Sequence, residues 1–533
     1  MTEQLAKQLK EEGNALFAKK EYEDAHQKYS EAINHDKQNA ILFANRAACS
    51  FAMGRYLDSA QDAREATRLD PSYPKAWARL ANAQAALLNY VDCAASWETA
   101  IKALPTGNLT AVQQKQKQEY TNALRTAKET IRNLSNRVSQ GVQVTQANDA
   151  PFIRAQSMLP GLRAQGDSGL QSSAWVAFES AKDFVDGVKA MKEIRLQGNT
   201  LVGNPEALTL MSTGLLFDHR AFHVDTANWL FYFNEQVKFE ALRFGAIVDG
   251  TFESIVEAYR TKQVSDGWDI TRPAMDRTIR ILILRAFVEG RMKNNSQLAI
   301  ELIRKALDIL KWGNTGPWKD VSITEKGTIF QRATIHKAQV IFFELYEIAF
   351  SMSGNNDAVF PISKLYEEAK SLLADLDPSP PTAQEVGPGK YLAYYRYPAG
   401  HASSAIAFYH IRMAGMVQPR TLDNVKAHHK GAADHYLKAV EYFPIDDENH
   451  VYFLCTAVEH LFKYGTPVKE VLPLMERIRK GIPAMLKIWE HSGHPHHMPG
   501  APLEKTLRVE DQIRDALKRG QFKPDDKIMP QWG

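Results

Sequence analysis

The stretch LKEEGNALFAKKEYEDAHQKYSEAIN, residues 9–34, decides the fold of the N-terminal part of the chain. Its apolar residues follow the three- and four-residue spacing of amphipathic helices, interrupted at residues 19–21. The pattern therefore predicts two helices joined by a short turn, with most of the charge on their solvated outer faces. Lys10 and Asn14 lie one turn apart on the first helix and share a face.

The helical hairpin recurs with a period of 34 residues. Three kinds of side chain return at this interval, namely a tyrosine at the turn, a small alanine in the second helix and a proline after it. The aligned residues are Tyr22, Tyr56 and Tyr90, then Ala32, Ala66 and Ala100, then Pro71 and Pro105, with Lys37 in the proline position of the first unit. The proline ends the second helix, and the alanine lets the two helices approach closely. A single hairpin cannot bury its apolar face, so successive hairpins must stack.

These repeats resemble the tetratricopeptide repeat family over residues 3–105. Thr110–Arg137 resembles the additional helix that commonly caps such arrays. The resemblance implies a superhelix of three repeats with a capping helix. The departures from the family pattern are Leu16, Ser50 and Gln84 at an often aromatic position, and Ser59 and Cys93 in place of an alanine.

The first helices of stacked hairpins line a concave groove, and five of their side chains are suited to binding an anion. Lys10 and Asn14 lie on the first of these helices, Asn45 on the second, and Lys75 and Arg79 on the third. The cations offer charge-assisted hydrogen bonds, and the amides offer neutral donors. Three cations and two amides suit two neighbouring carboxylates, which a peptide with an acidic last residue carries at its C-terminus.

This set resembles the carboxylate clamp of chaperone-binding tetratricopeptide proteins. In that family the clamp receives the C-terminal EEVD tail of cytosolic heat-shock chaperones of the 70- and 90-kDa classes. The resemblance implies that this tail is bound by Lys10, Asn14, Asn45, Lys75 and Arg79. For any one lysine or arginine, an ordinary solvated helix face is the better interpretation. Five such residues in register over three repeats favour the clamp.

The composition changes after residue 137, and this change sets the predicted domain boundaries. Residues 1–137 form the predicted repeat domain, and residues 138–170, rich in Ser, Gln, Gly and Pro, form a predicted linker. Helical periodicity returns over residues 171–533, where alanines at the spacing of the first repeat predict degenerate helical hairpins. No run of alternating strand pattern is found. The predicted fold class is therefore all-α throughout.

One stretch of the C-terminal domain, residues 376–401, is rich in proline and glycine and is predicted to be irregular. Its aromatic side chains could form a contact surface, but anchoring of the loop onto the helices is the favoured interpretation. These side chains are Tyr391, Tyr394, Tyr395 and Tyr397.

Charge and targeting signals narrow the class of protein. The chain has 65 basic and 62 acidic residues, a net charge of +3, which argues against a dedicated nucleic-acid binder. It lacks a bilayer-spanning apolar stretch and an apolar signal-peptide core at its start, so no membrane partner is expected. Three distant cysteines predict no disulfide framework. We expect a cytoplasmic protein with a possible nuclear share.

No cofactor or metal is predicted from the motifs. GPGK at residues 387–390 lacks the spacing of a phosphate-binding loop. The histidines at 491, 494, 496 and 497 have no acidic or cysteine partner at zinc-site spacing. His428 and His429 are expected on a helix surface, and no hydrolase, metalloprotease or kinase motif is present.

The favoured function is a co-chaperone-like adaptor that binds chaperone tails and holds an unknown second protein through residues 171–533. The alternative is an enzyme that uses the clamp for targeting and carries an uncharacterised all-α catalytic domain. A buried cavity with ionisable groups in mutual contact would favour the enzyme. A third alternative is a scaffold with no link to chaperones.

Overall fold

The structure, a computed structural model, describes residues 2–87, 90–107, 109–138, 150–198, 200–226, 228–492 and 502–532. Regular structure in these residues is helical apart from one short antiparallel hairpin, β1 (Arg195–Gln197) and β2 (Thr200–Val202). The all-α prediction is confirmed. Among the described residues, no helix is long and apolar enough to cross a bilayer.

The N-terminal helices follow the predicted repeat. They are α1 (Thr2–Ala18), α2 (Tyr22–His35), α3 (Ala40–Ala52), α4 (Tyr56–Leu69), α5 (Pro74–Ala86), α6 (Tyr90–Lys102) and α7 (Ala111–Val138). The three repeat tyrosines are the first residues of α2, α4 and α6, which confirms the hairpins and their period. The helix α7 occupies the position predicted for the capping helix.

The recurring side chains pack as their spacing predicts. Ala32, Ala66 and Ala100 are completely buried, so the backbones of neighbouring helices approach closely at these points. The turns of the first two hairpins each carry an aromatic contact. The ring of Tyr22 lies 5.2 Å from that of Phe17, and the equivalent rings of Phe51 and Tyr56 are 5.0 Å apart.

The middle of the chain contains seven further helices. They are α8 (Pro151–Ala164), α9 (Ala174–Met191), α10 (Ala207–Phe217), α11 (Trp229–Phe244), α12 (Phe252–Asp266), α13 (Trp268–Arg291) and α14 (Ser296–Thr315). Helix α8 and the 3-10 turn at 166–170 differ from the irregular linker expected over 138–170. Pro151 occupies the first turn of α8, where its missing N–H costs nothing, and Ala155 and Leu159 are buried. Residues 139–149 of the expected linker lie outside the described ranges.

The last part of the chain is also helical. It contains α15 (Ile323–Lys326), α16 (Arg332–Met352), α17 (Ile362–Ala374), α18 (Ala383–Val386), α19 (Pro388–Tyr391), α20 (Tyr397–Met416), α21 (Leu422–Val440), α22 (Glu448–Tyr464), α23 (Val468–Trp489) and α24 (Pro502–Lys518). Much of the stretch 376–401 is therefore not irregular, because α18, α19 and a π-helical turn at 392–396 lead into α20. Tyr397 is buried and donates a 2.6 Å hydrogen bond to Asp447.

The contacts divide the chain into two compact units. The first comprises residues 1–142, 245–278 and 285–309, and the second comprises residues 143–244, 279–284 and 310–533. The repeats thus share a unit with a segment that begins about a hundred residues later, which the predicted boundaries at 137 and 171 did not anticipate. The core of the second unit includes Trp175, Leu454 and Trp489 from α9, α22 and α23.

Candidate functional site

Three helices of the first unit carry the five residues predicted to bind a peptide terminus. Lys10 and Asn14 lie on α1, Asn45 on α3, and Lys75 and Arg79 on α5. These are the first helices of the three hairpins. Local sequence fixes where two of them start, because the Asn39 side chain accepts a hydrogen bond from the Ile41 backbone at the start of α3, and Pro74 opens α5.

The two asparagines are in direct contact. The Asn45 side-chain nitrogen donates to the side-chain oxygen of Asn14 over 3.2 Å, although the two residues are 31 apart in sequence. The Tyr29 hydroxyl donates to the same oxygen over 2.7 Å. The stacking of the hairpins therefore places the amides of α1 and α3 side by side.

Arg79 forms no ion pair with any acid in the part of the chain that the structure describes. Its Nε is buried and has no hydrogen-bond partner among the described residues. Burial holds the pKa of the guanidinium below its usual value, partly offset by Tyr73, Cys49 and Tyr29. The group still keeps its proton at neutral pH because the ordinary pKa of an arginine lies far above neutrality. A partly desolvated cation without an acid beside it is a favourable position for an anion.

Lys10 and Lys75, the two predicted lysines, are likewise not paired with an acid among the described residues. Lys75 is exposed and Lys10 is half-buried. Within the described part of the chain, neither has an ion pair or a side-chain hydrogen bond with an acidic residue. By contrast, Lys28 lies 2.9 Å from Glu12. The acids of the repeats thus leave the three predicted cations uncompensated.

Tyr29 is a contact that the sequence analysis missed. This residue of α2 is almost completely buried, with 2% of its surface exposed. The available signal was the residue type. A buried tyrosine, unlike a phenylalanine, needs a hydrogen-bond partner for its hydroxyl, and Asn14 is that partner.

The later segment of the first unit contacts the repeats away from these five residues. Gln297 of α14 donates to the Gly54 carbonyl over 2.9 Å. The Glu301 carboxylate accepts from the backbone N–H groups of Tyr56 (3.0 Å) and Leu57 (2.7 Å). These contacts lie at the turn before α4. In the described residues, no hydrogen bond or ion pair joins this segment to any of the five.

The second unit contains a buried group of ionisable side chains, a feature relevant to the enzyme alternative. Arg220 lies 2.7 Å from Asp218, 2.9 Å from Asp447 and 3.3 Å from Glu448. Burial alone would raise the pKa of Asp218, but Arg220 outweighs it and holds that pKa well below its usual value. Burial raises the pKa of Glu448 to about 7. These groups neutralise one another, as structural ion networks do.

The histidines of the second unit form contacts that the sequence analysis did not predict. His428 and His429, expected on a helix surface, are half-buried. The Nδ1 atoms of His428 and His410 are 3.0 Å apart, as are those of His429 and His460. Among the described residues, no three potential ligands converge as a metal site. Three histidines of the cluster near the C-terminus, at 494, 496 and 497, lie outside the described ranges.

No family model matches the chain. A stretch of 104 residues is 39% identical to the heat-shock protein cognate co-chaperone sgt12 of Aspergillus fumigatus, covering 20% of this chain and 30% of that protein. A stretch of 75 residues is 41% identical to the heat shock protein sti1 homolog of Schizosaccharomyces pombe, covering 14% of this chain and 13% of that protein. The chain therefore matches less than a third of the length of these relatives.

Two solved structures are similar as well. The Sgt2 TPR domain from Aspergillus fumigatus is 33% identical, with a TM-score of 0.22, covering 27% of this chain and 90% of that one. The first TPR of Spaghetti (RPAP3), bound to the HSP90 peptide SRMEEVD, is 27% identical, with a TM-score of 0.21. The match covers 23% of this chain and 98% of that one.

The helical hairpins at 34-residue intervals and the sequence relatives together define the class. This chain is a tetratricopeptide repeat protein. The matched stretches have the length of about three repeats in one relative and about two in the other. They are similar to parts of proteins that are named for co-chaperone and heat-shock functions.

Proposed function

We propose that this protein is an adaptor whose repeats bind the acidic C-terminal tail of a heat-shock chaperone of the 70- or 90-kDa class. The carrying observation is the convergence of the Asn14 and Asn45 amides, together with three cations that no acid of the described chain neutralises. A peptide that ends in an acidic residue presents two carboxylates within one residue. Such an anion would supply the counterions that Arg79 and the lysines lack.

The relatives support this choice of ligand. One of them is named as a co-chaperone, and one structural neighbour holds the HSP90 peptide SRMEEVD. The proposal assigns Lys10, Lys75 and Arg79 to the carboxylates of the tail and the two asparagines to its terminal backbone. A short peptide held by a few polar contacts binds with an affinity of roughly micromolar order, about −8 kcal/mol. Salt weakens such binding because the cations are partly exposed.

The second unit is proposed to bind a further protein, so that the chain links a chaperone to it. The buried ionisable groups around Arg220 are compatible with this role, because they pair internally. No observation in this unit favours a particular reaction, so the adaptor is preferred to the enzyme.

The test is calorimetric titration of the full-length protein with a peptide that ends in EEVD. Lys75→Ala or Arg79→Glu should abolish binding, because each loses a charge-assisted hydrogen bond and the second also adds a repulsive charge. Arg64→Ala is the matched control, since Arg64 is an exposed cation of the same domain on α4. It should leave the affinity within about twofold, as expected for an exposed charge.

A second control uses the peptide itself. The same peptide with a C-terminal amide lacks one carboxylate and should bind far more weakly to the unmodified protein. Unchanged affinity in Lys75→Ala and Arg79→Glu, with helical circular dichroism preserved, would refute the proposed site. Failure of the unmodified protein to bind the tail would refute the function.

A further inference from the structure

The Asn14 side chain is held in one orientation by its neighbours. A carboxamide oxygen has two lone pairs, and its nitrogen carries two protons. The Asn14 oxygen accepts from the Tyr29 hydroxyl at 2.7 Å and from the Asn45 nitrogen at 3.2 Å. Both lone pairs of the oxygen are engaged, so the Asn14 nitrogen, which can only donate, is directed away from these two partners.

Tyr29 is itself rigidly placed. Its ring is buried against α1, where Gly13 leaves room for it, because a Cβ at position 13 would come within 2.8 Å of the ring. Burial raises the pKa of the Tyr29 hydroxyl to about 12. The hydroxyl therefore keeps its proton at neutral pH and acts as a donor to Asn14. Because the Tyr29 ring is held by packing, its hydroxyl stays in place and cannot move with the Asn14 side chain if that side chain rotates.

We propose that Tyr29 is a positioning residue of the tail-binding site, whose hydroxyl fixes the Asn14 carboxamide so that its N–H groups face the peptide carboxylate. This inference rests on the proposed function. Without the hydroxyl, a half-turn of the amide would present its oxygen to the carboxylate, and two acceptors would then face each other. Tyr29 does not touch the peptide in this scheme, since it acts through Asn14.

The test compares Tyr29→Phe with the unmodified full-length protein. The substitution keeps the ring and removes only the hydroxyl, so the affinity for an EEVD-ending peptide should fall about five- to tenfold, the effect of one lost hydrogen bond. Tyr22→Phe is the matched control, because Tyr22 lies in the same hairpin and packs its ring on Phe17. It should leave the affinity unchanged.

A double-mutant cycle separates positioning from a general structural effect. In an Asn14→Ala background, measured at low salt so that weak binding stays detectable, Tyr29→Phe should cause no further loss. The NMR signals of the Asn14 side-chain amide should also shift in Tyr29→Phe without any peptide. An equal loss in both backgrounds, or an unchanged affinity in Tyr29→Phe, would overturn the inference while leaving the proposed function intact. If the unmodified protein does not bind the tail, both fail.

Discussion

Arg46 and Arg79 show how neighbouring arginines of one groove-forming array differ in their roles. Arg46 forms a two-pronged ion pair with Asp62, at 2.9 and 2.7 Å, and also donates to Ser30 at 3.1 Å. Arg79 has no acid beside it among the described residues, and its Nε is unpaired. The first arginine is paired within the fold, whereas the second is one of the cations that the proposed function assigns to the peptide tail. Residue type alone could not distinguish them, because Asp62 reaches Arg46 only through helix packing.

This difference predicts opposite effects on stability. Arg46→Ala would leave the buried Asp62 carboxylate without its cation, and the free energy of unfolding should fall by about 3 kcal/mol. Arg79→Met removes a partly desolvated charge that has no partner, so stability should be unchanged or higher although tail binding is lost. Urea unfolding of the two variants, followed by circular dichroism, measures both effects. A comparable loss of stability in Arg79→Met would mean that Arg79 has a structural partner.

At the scale of elements, the start of α4 is completed by a distant helix. The residue before it, Arg55, provides no side-chain cap, so the first N–H groups of α4 need other acceptors. The Glu301 carboxylate of α14 accepts from two of them. Burial, with a smaller contribution from Asp58, raises the pKa of Glu301 to about 8. Its oxygens can accept these bonds in either protonation state.

Glu301→Ala should therefore lower the free energy of unfolding by about 1 to 2 kcal/mol, because two partly buried N–H groups lose their acceptor. Glu301→Gln keeps one acceptor oxygen, so its stability should lie between that of the unmodified protein and that of Glu301→Ala. Glu98→Ala, which removes a surface ion pair with Lys128, is the control and should leave the stability nearly unchanged, because water screens an exposed pair. Thermal and urea unfolding would report the order. Equal stability of Glu301→Ala and the unmodified protein would contradict a capping role.

Elements with a strong periodic signal were predictable from the sequence, and elements set by distant contacts were not. The first residues of α2, α4 and α6 are the predicted tyrosines, because three in-register copies of one pattern fix the phase. Helix α8 was missed because its apolar residues are not confined to one face and Pro160 stands inside it. The docking of α14 on the repeats depends on Glu301 finding an N-terminus 245 residues away, which no local pattern encodes. For the same reason, the five candidate residues could be named but not their partners.

At the scale of the whole molecule, buried glutamates and buried histidines determine how the stability of the fold depends on pH. Burial raises the pKa of Glu301 and Glu347 to about 8 and that of Glu448 to about 7. Burial lowers the pKa of many histidines, to about 3 for His401 and His460. The other histidines with a pKa lowered by burial are His26, His336, His410, His428, His429, His435 and His450.

The melting temperature should therefore pass through a maximum near neutrality. Below pH ~6.5 the unfolded chain binds protons at histidines that stay neutral when folded, so stability falls as the pH decreases. The three glutamates act in the opposite sense. They keep their protons in the folded state up to pH 7–8 but lose them near pH ~4.4 when unfolded, so their contribution is lost as the pH rises.

Differential scanning fluorimetry between about pH 5 and pH 8.5 would locate this maximum. Glu347→Gln should remove a destabilisation that grows from about pH 4.4 to about pH 8, because the folded glutamate keeps a proton that the unfolded chain has lost. The melting temperature should then fall less steeply above neutrality and rise more steeply with pH below it. His401→Gln should reduce the acid slope instead. A melting temperature that rises steadily up to pH 8.5 would show that the buried glutamates do not hold their protons.

The pairing of the repeats with a segment that starts at residue 245 means that the first unit is assembled from pieces remote along the polypeptide. During synthesis, the three hairpins leave the ribosome long before the helix that supplies Glu301 exists. The first N–H groups of α4 therefore lack this acceptor until α14 has been synthesised. A cut in the chain between residues 143 and 244 would leave each fragment with part of the first unit. We therefore expect the two fragments to stay associated until that unit is denatured.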